Sequence, residues 1–335
     1  TTSMLSVCFV EAGKDPTIQV GALLNNIGGN YRVGNSEYFI LESCEYKANF
    51  LKFVPNTEII LNIDNDHLDY YRTFDNIVKA FRDFASIPSE KELVVTNADD
   101  VNCLKLKEVV KGLFITYGIE NEEANFVAKN ITFDHNGFAN FDVYKNGNLF
   151  TTISLSVAGR HNILNALACI AVCDFYKIPS ETIRKALKNF TGAERRLEYK
   201  GTKNGFSVFD DYGHHPTEIL ATANAIKNKE YNESWVIFQP HTYSRTQTHL
   251  DAFAKVLKNF DHIIVVDIYA AREQNTINIS SKDLVNKINE NGNQAVYIPD
   301  FNEVSNYINH NAHPKDLVLT LGAGTVTNIG PLIVK

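Results

Sequence analysis

The stretch SVFDDYGHHPTEI, residues 207–219, decides the reading of the fold. It opens as a short apolar run, turns abruptly polar, and meets Pro216 where a helix takes its first residue, a position that suits proline's fixed φ. The same succession of strand, polar loop and helix recurs downstream. Apolar runs near 205–210, 234–239, 262–267, 294–298 and 316–321 are separated by helical patterns that start at Pro216, Ser244 and Ser280. This alternation implies a parallel sheet with crossover helices. Ligands of such sheets bind beyond the carboxyl ends of the strands, so the residues that directly follow each run are the informative ones. DDYGHHP follows SVF, QPHTYSRT follows WVIF, DIYAARE follows IIVV, and LGAGT follows LVLT. Together they deliver Asp210, Asp211, Tyr212, His214, His215, His241, Arg245, Asp267, Arg272 and a backbone-exposing pair, Gly322 and Gly324, to one expected edge. A lone histidine or a Gly-Ala-Gly tripeptide signals little, but four such loops at one edge signal a site. His215, just before Pro216, reads as structural.

Upstream the texture is similar. YFILES and EIILNI read as short buried strands, and RTFDNIVKAFRDFASI carries apolar residues at 74, 77, 78, 81 and 84, a helical stripe. Between about 125 and 157 the pattern becomes polar–apolar alternation around the turns HNGF and KNGN, an antiparallel meander. Helices return in HNILNALACIAVCDFY and SETIRKALKNF. The fold class is therefore α/β in two domains: residues 1–192, a parallel-sheet domain with a small meander, and 193–335, a Rossmann-like α/β domain, with the boundary near Thr191 to Glu194.

The first domain has its own polar strand ends. ESCEY carries Glu42 and Glu45, and DNDHLD carries Asp64, Asp66, His67 and Asp69. The aspartates read as a polar loop and a helix N-cap. Glu45 and His67, expected on neighbouring parallel strands, are a suitable ligand pair for magnesium (Mg2+), which takes one or two protein ligands plus waters and phosphate oxygens. GRHNILNA sets Asn162 and Asn165 at a helix start, either as caps or as amides for a base or ribose. GAERRLE places Arg195 and Arg196 at the interdomain hinge, either solvated or reaching phosphate.

Bulk properties narrow the function. The 335 residues carry a formal net charge of −7 and no Lys/Arg block, which argues against binding nucleic acid by bulk attraction to phosphate. No apolar run approaches the roughly 18 residues of a membrane span. Five cysteines without a CxxC pair, with Cys44, Cys103, Cys169 and Cys173 in apolar or helical patterns, read as buried reduced thiols of a cytoplasmic protein.

In this order the motifs resemble the Mur ligases, ATP-dependent enzymes that build the peptide stem of bacterial peptidoglycan. The resemblance covers the whole chain, and DDYGHHPTE with FQPHTYSRT is similar to the branch that adds alanine. It implies ATP and Mg2+ as cofactors and UDP-N-acetylmuramate and L-alanine as substrates. The sugar's lactyl carboxylate becomes an acyl phosphate, and the amine of alanine displaces phosphate. By position, Glu45 and His67 match the magnesium ligands, Asn162 and Asn165 the adenine side, and Arg196 the hinge arginine on the phosphates. Asp211 matches the stretch near the ribose, and Tyr212, His214, His241 and Arg245 match the surroundings of alanine. His214, Arg245 and Arg196 are the expected catalytic groups, with His214 a candidate for assisting loss of the amine proton. The domains are expected to close over their ligands. A monomer or weak homodimer with no nucleic-acid or membrane partner completes the expectation.

Two departures accompany the resemblance. Thr242 stands after His241 where some relatives carry a second arginine. TTSM resembles the end of a GTHGKTTTTSM phosphate loop, with a helical pattern under way through Met4, Leu5, Cys8 and Phe9 to Gly13 and no initiator methionine, so the chain is expected to be a piece lacking that loop and a uridine-binding domain, and inactive alone. Three rival readings stand: a ligase that attaches a recycled tripeptide to the same sugar, a metal-dependent phosphoesterase built on DDYGHHP and DHLD, and a nucleotide-binding or regulatory remnant.

Overall fold

A computed structural model describes residues 1–335, apart from the side chains of Asn25 and Asp69. The chain divides into two compact units, Thr1–Asp134 with Phe138–Thr191, and Gly192–Lys335 with His135–Gly137.

The first unit opens with the helix Thr2–Glu11, followed by Gly13 at a φ of +68°. Its strands are β1 (Thr17–Leu24), β2 (Gly29–Arg32), β3 (Phe39–Leu41), β4 (Thr57–Ile60), β5 (Leu93–Asn97), β6 (Leu113–Gly118), β7 (Phe126–Phe133), β8 (Phe138–Lys145) and β9 (Asn148–Ala158). The larger sheet runs β4-β5-β6-β7-β8-β9, parallel from β4 to β7 and antiparallel from β7 to β9. The turns at HNGF and KNGN close the β7–β8 and β8–β9 hairpins. Side chains alternate across the sheet, so Leu93 and Val95 enter one core with the helix Arg160–Phe175 while Val94 enters another with Phe74–Ala85. That second helix starts at Thr73, whose hydroxyl accepts from the Asn76 amide at 3.3 Å.

β3, the YFILES strand, belongs to a separate three-stranded sheet ordered β2-β1-β3. Glu45 and His67 therefore do not follow neighbouring strands, as the simple alternation suggested. The run from residue 17 to 32 supplies β1 and β2 as an antiparallel pair, and β3 joins that pair. Cys44 is exposed on the loop after β3, whereas Cys8, Cys103, Cys169 and Cys173 are buried. The apolar run ends before Cys44, so nothing carries its side chain into the core.

The second unit holds β10 (Glu198–Lys203), β11 (Phe206–Asp211), β12 (Ser234–Phe238), β13 (His262–Val265), β14 (Ala295–Tyr297) and β15 (Leu317–Leu321), in the order β10-β11-β15-β12-β13-β14. All are parallel except β10, a polar strand that pairs antiparallel with β11 and had no apolar signature. Pro216 is the first residue of the helix Pro216–Ile226, and His215 is its N-cap in a capping box with Glu218. Ser280 caps Ser281–Glu290 in the same manner with Asp283. Ser244 is not a cap. Thr242 takes that place before Tyr243–Thr248, and Ser244 bonds Glu273 instead. Among the described residues no helix is long and apolar enough to cross a membrane.

Candidate functional site

In the second unit the register of the parallel strands fixes where the polar loops begin. Asp211 pairs with Leu321, Leu321 with Phe238, and Phe238 with Val265. The ladder continues one step further through Gly322 N to Asp211 O, Gln239 N to Leu321 O and Val266 N to Phe238 O, at 2.9–3.0 Å. Four loops thus leave the sheet at one level.

Beneath them lies a buried polar layer. Asp210 is wholly buried and accepts from Thr320 Oγ1 at 2.5 Å, Thr327 Oγ1 at 2.8 Å and Arg195 Nε at 3.3 Å. The Arg195 guanidinium also donates to the carbonyls of Gly322 at 2.5 Å and Gly324 at 3.1 Å. Arg195 is therefore part of the scaffold and not a solvated surface cation. Asp211, expected beside a ribose, accepts from Leu197 N and Gly213 N at 2.8 Å and from Thr222 Oγ1 at 3.0 Å. Burial pushes its carboxyl up, opposed by those bonds and by Arg196. Its oxygens hold the hinge and the DDYGHH loop together.

The glycine pair is packing, not an exposed backbone. A Cβ at Gly324 would stand 2.3 Å from Gln239 Oε1 and 2.6 Å from the Tyr269 ring. One at Gly322, whose φ is +145°, would stand 2.7 Å from Gln239 O. Gln239 itself is buried and accepts from Val326 N at 2.9 Å.

Above this layer the expected side chains form a continuous row. The guanidinium carbons of Arg195 and Arg196 lie over the Tyr212 ring at 4.8 and 5.6 Å. The His214 ring stands 5.4 Å from Tyr212 and 5.3 Å from His241, and His241 stacks on Tyr269 at 5.8 Å with 23° between planes. Arg245 Nη1 lies 3.0 Å from His241 Nδ1. A guanidinium can only donate, so His241 Nδ1 accepts and its proton resides on Nε2. Thr242, between them, has φ 63° and ψ 151°, strained for a β-branched residue. It is held by Thr242 N donating to Tyr269 O at 2.9 Å and Thr246 Oγ1 donating to Thr242 O at 2.6 Å. The Arg196 side chain is 55% exposed, with Glu218 Oε1 at 4.0 Å and its guanidinium over the Tyr212 ring, so it can still meet an anion from solvent. Asp267 accepts from the Tyr297 hydroxyl at 2.5 Å, Arg272 is exposed, and His215 serves as the N-cap. Tyr269 and Glu218 were not singled out from sequence. Glu218 was legible, because a carboxylate three residues after an N-cap marks a capping box.

In the first unit Glu45 Oε1 lies 3.0 Å from His67 Nε2, with Asp66 Oδ2 3.7 Å from the same nitrogen. The hydrogen bond from His67 holds the Glu45 carboxyl below its ordinary range, against burial. Tyr46 packs on the His67 ring at 4.8 Å, and the Tyr71 hydroxyl donates to the Glu45 carbonyl at 2.5 Å. Lys47, Ala48, His67 and Arg72 all have positive φ, so this corner rests on backbone that ordinary side chains rarely adopt. His67, not an aspartate, is the N-cap of Leu68–Tyr71, and the Asp69 side chain lies outside the described residues. A carboxylate oxygen and an imidazole nitrogen 3.0 Å apart are close enough to share one cation, and magnesium takes few protein ligands beside waters and phosphate oxygens. Among the described residues no group of three or more His, Cys, Asp or Glu gathers as for a metal. DDYGHHP and DHLD sit in different units.

Asn162 and Asn165 lie in the first two turns of Arg160–Phe175, whose N-cap is Gly159 at φ 103°. Asn162 Nδ2 donates to Ala158 O at 2.7 Å, Asn165 Nδ2 to Asn162 Oδ1 at 3.1 Å, and Thr1 Oγ1 to Asn165 Oδ1 at 2.6 Å. The two amides thus tie the start of this helix to the start of Thr2–Glu11.

Comparison with known proteins fits this geometry. Residues 10–173 match the Mur ligase middle domain, and residues 195–324 match the Mur ligase, glutamate ligase domain. The UDP-N-acetylmuramate–L-alanine ligase of Acetivibrio thermocellus is 45% identical over 335 residues, covering all of this chain and 71% of that protein. The chain belongs to the UDP-N-acetylmuramate–L-alanine ligase family. The ligase of the same name from Caldanaerobacter subterraneus subsp. tengcongensis is 47% identical over 333 residues, 98% of this chain and 72% of its own. The crystal structure of UDP-N-acetylmuramate-alanine ligase from Thermotoga maritima superposes with a TM-score of 0.83 at 28% identity, covering 99% of this chain and 71% of that one. Membership of this Mur ligase family favours the alanine-adding branch over tripeptide attachment.

Proposed function

We propose that the chain works in ATP-dependent ligation of L-alanine to UDP-N-acetylmuramate, a step of peptidoglycan precursor synthesis in the cytoplasm. The observation that carries the reading is the Tyr212–His214–His241–Arg245 row on a family fold. It offers cationic and N–H donors for a carboxylate and an imidazole for an amine, as a free amino acid needs.

Asn162 and Asn165 are assigned to the adenine side of ATP, and Arg196 to its phosphates. Glu45 and His67 would hold Mg2+, which when bound neutralises phosphate charge. The lactyl carboxylate oxygen attacks the γ-phosphorus and ADP leaves, giving an acyl phosphate. Arg245 and the His241 Nε2–H hold the alanine carboxylate. The amine nitrogen then bonds to the acyl carbon, one N–H proton passes to His214, and the C–O bond to phosphate breaks. Orientation of two bound reactants supplies much of the rate. The enzyme is assigned as a monomer or weak homodimer.

Phosphate release from ATP tests this, using the chain alone and the chain joined to whatever its genome encodes in frame ahead of Thr1. Release that requires UDP-N-acetylmuramate, L-alanine and Mg2+ together supports the reading, and R245A is then expected to raise the KM for alanine by about 100-fold. Release independent of alanine overturns it.

A further inference from the structure

The DDYGHHPTEI loop contains a carboxylate to which the reaction assigns no part. Glu218 sits in the first turn of Pro216–Ile226, and its Oε2 accepts from His214 N at 2.9 Å and His215 N at 3.2 Å. The same oxygen lies 3.3 Å from His214 Nδ1, and the Tyr212 carbonyl lies 3.1 Å from that nitrogen. Neither oxygen has a proton to give, so Nδ1 carries one and Nε2 carries the lone pair. Across a ring separation of 5.3 Å, His241 has the opposite tautomer, set by Arg245. The two neighbouring imidazoles thus present one acceptor and one donor.

We infer that Glu218 is the positioning residue that makes His214 the proton acceptor of the ligation step, by stabilising the imidazolium that forms, while the Tyr212 carbonyl, 3.1 Å from Nδ1, sets the Nε2 lone-pair tautomer. The inference rests on the ligase reading. As the alanine nitrogen bonds to the acyl carbon, its proton moves to His214 Nε2 and the C=O pair moves onto oxygen. That pair returns as the bond to phosphate breaks, and phosphate leaves with the bonding electrons. Glu218, whose Oε2 lies 3.3 Å from Nδ1, balances the new charge as an ion pair. The charged and titratable groups around His214 include Glu218, the Tyr212 ring at 5.4 Å and the His241 ring at 5.3 Å. Arg196 lies behind Glu218 at 4.0 Å, and Arg245 lies behind His241 at 3.0 Å. Glu218 is an anion 3.3 Å from Nδ1, and its charge favours the imidazolium.

E218Q keeps an acceptor for the two backbone amides and removes the charge. In the upstream-extended chain, kcat is expected to fall about 10-fold with KM for ATP and alanine little changed. The acid limb of the kcat profile is expected to move down by about half to one pH unit. E218D, which restores the charge at shorter reach, should recover part of both. An unmoved acid limb in a folded E218Q overturns the assignment, because loss of a helix cap alone would not shift it. If the parent shows no alanine-dependent turnover, the ligase reading fails separately. Imidazole nitrogen NMR then decides the positioning claim. His214 protonated on Nδ1, with a lower pKa in E218Q, upholds it, and an Nε2–H tautomer or equal pKa values overturn it.

Discussion

In the second unit a layer of buried, fully bonded carboxylates underlies the polar loops. In the first, Glu45 and His67 stand on loops whose course depends on left-handed backbone at Lys47, Ala48, His67 and Arg72. Asp210 and Asp211 accept six hydrogen bonds or ion pairs between them, from Arg195, Thr320, Thr327, Leu197, Gly213 and Thr222. Rotation of Tyr212 or His214 away from the row would have to disturb that layer. Glu45 and His67 meet each other at 3.0 Å, with the Tyr71 hydroxyl on the Glu45 carbonyl and Tyr46 against the His67 ring. The loops of the second unit are thus tied to a buried layer, whereas the Glu45–His67 corner of the first is tied by few contacts and by unusual backbone.

The comparison can be broken at its strongest point. R195A leaves Asp210 charged and buried, and the carbonyls of Gly322 and Gly324 lose a donor. The second unit is expected to lose about 3–5 kcal/mol, read as a lower urea midpoint. A loss below 1 kcal/mol would mean that the buried layer does not hold the loops.

A buried carboxylate of the opposite kind sharpens the contrast within the first unit. Glu58 on β4 is 2% exposed, both of its oxygens lack a hydrogen-bond partner, and burial, with Glu92 nearby, pushes its carboxyl up to about 9. It lies on the same face of the strand as Ile60, in the core under Phe74–Ala85. The folded group keeps its proton at pH values where the unfolded one, near the ordinary 4.5, has lost it. Its stabilising contribution is full below that value and declines as pH rises toward about 9. Stability is expected to fall by roughly 1.4 kcal/mol per unit, or about 4 kcal/mol between pH 5 and 8. E58Q should flatten that slope in urea unfolding, and an unchanged slope would contradict the buried neutral carboxyl.

A smaller effect is expected where the cation belongs. E45Q and H67A should each lower Mg2+-dependent phosphate release by about 100-fold with little change in urea midpoint, since neither side chain is fully buried. Equal loss of stability would make the pair structural. Smallest of all is T242G. Relief of strain, of order 1–3 kcal/mol, opposes the added chain entropy and the lost cap, so the midpoint should move by less than about 1 kcal/mol. The KM for alanine should rise several-fold as Arg245 and His241 loosen, and an unchanged KM would separate Thr242 from the pocket.

The central strands of the second sheet, β12, β13 and β15, were legible because they are buried on both faces and read as unbroken apolar runs. β10 was not, because it is polar and takes its place by pairing with β11. The β2-β1-β3 sheet was illegible for another reason, since strand patterns do not say which sheet a strand joins. Residue types at the strand ends pointed to the Tyr212–Arg245 row and to the Glu45–His67 pair. They did not reveal that Arg195, Asp211 and the glycine pair lie beneath the row. That distinction depends on depth, and a charged residue in a loop motif reads the same whether it faces a ligand or a buried carboxylate.

In the proposed ligation, phosphate leaves from an acyl phosphate on the sugar's carboxylate. The most direct measurement labels that lactyl carboxylate with oxygen-18 and follows the label through turnover by the upstream-extended chain with ATP, Mg2+ and L-alanine. The account expects one labelled oxygen in the inorganic phosphate and formation of the amide. Label retained wholly in the sugar, with phosphate oxygen drawn from water, would contradict it.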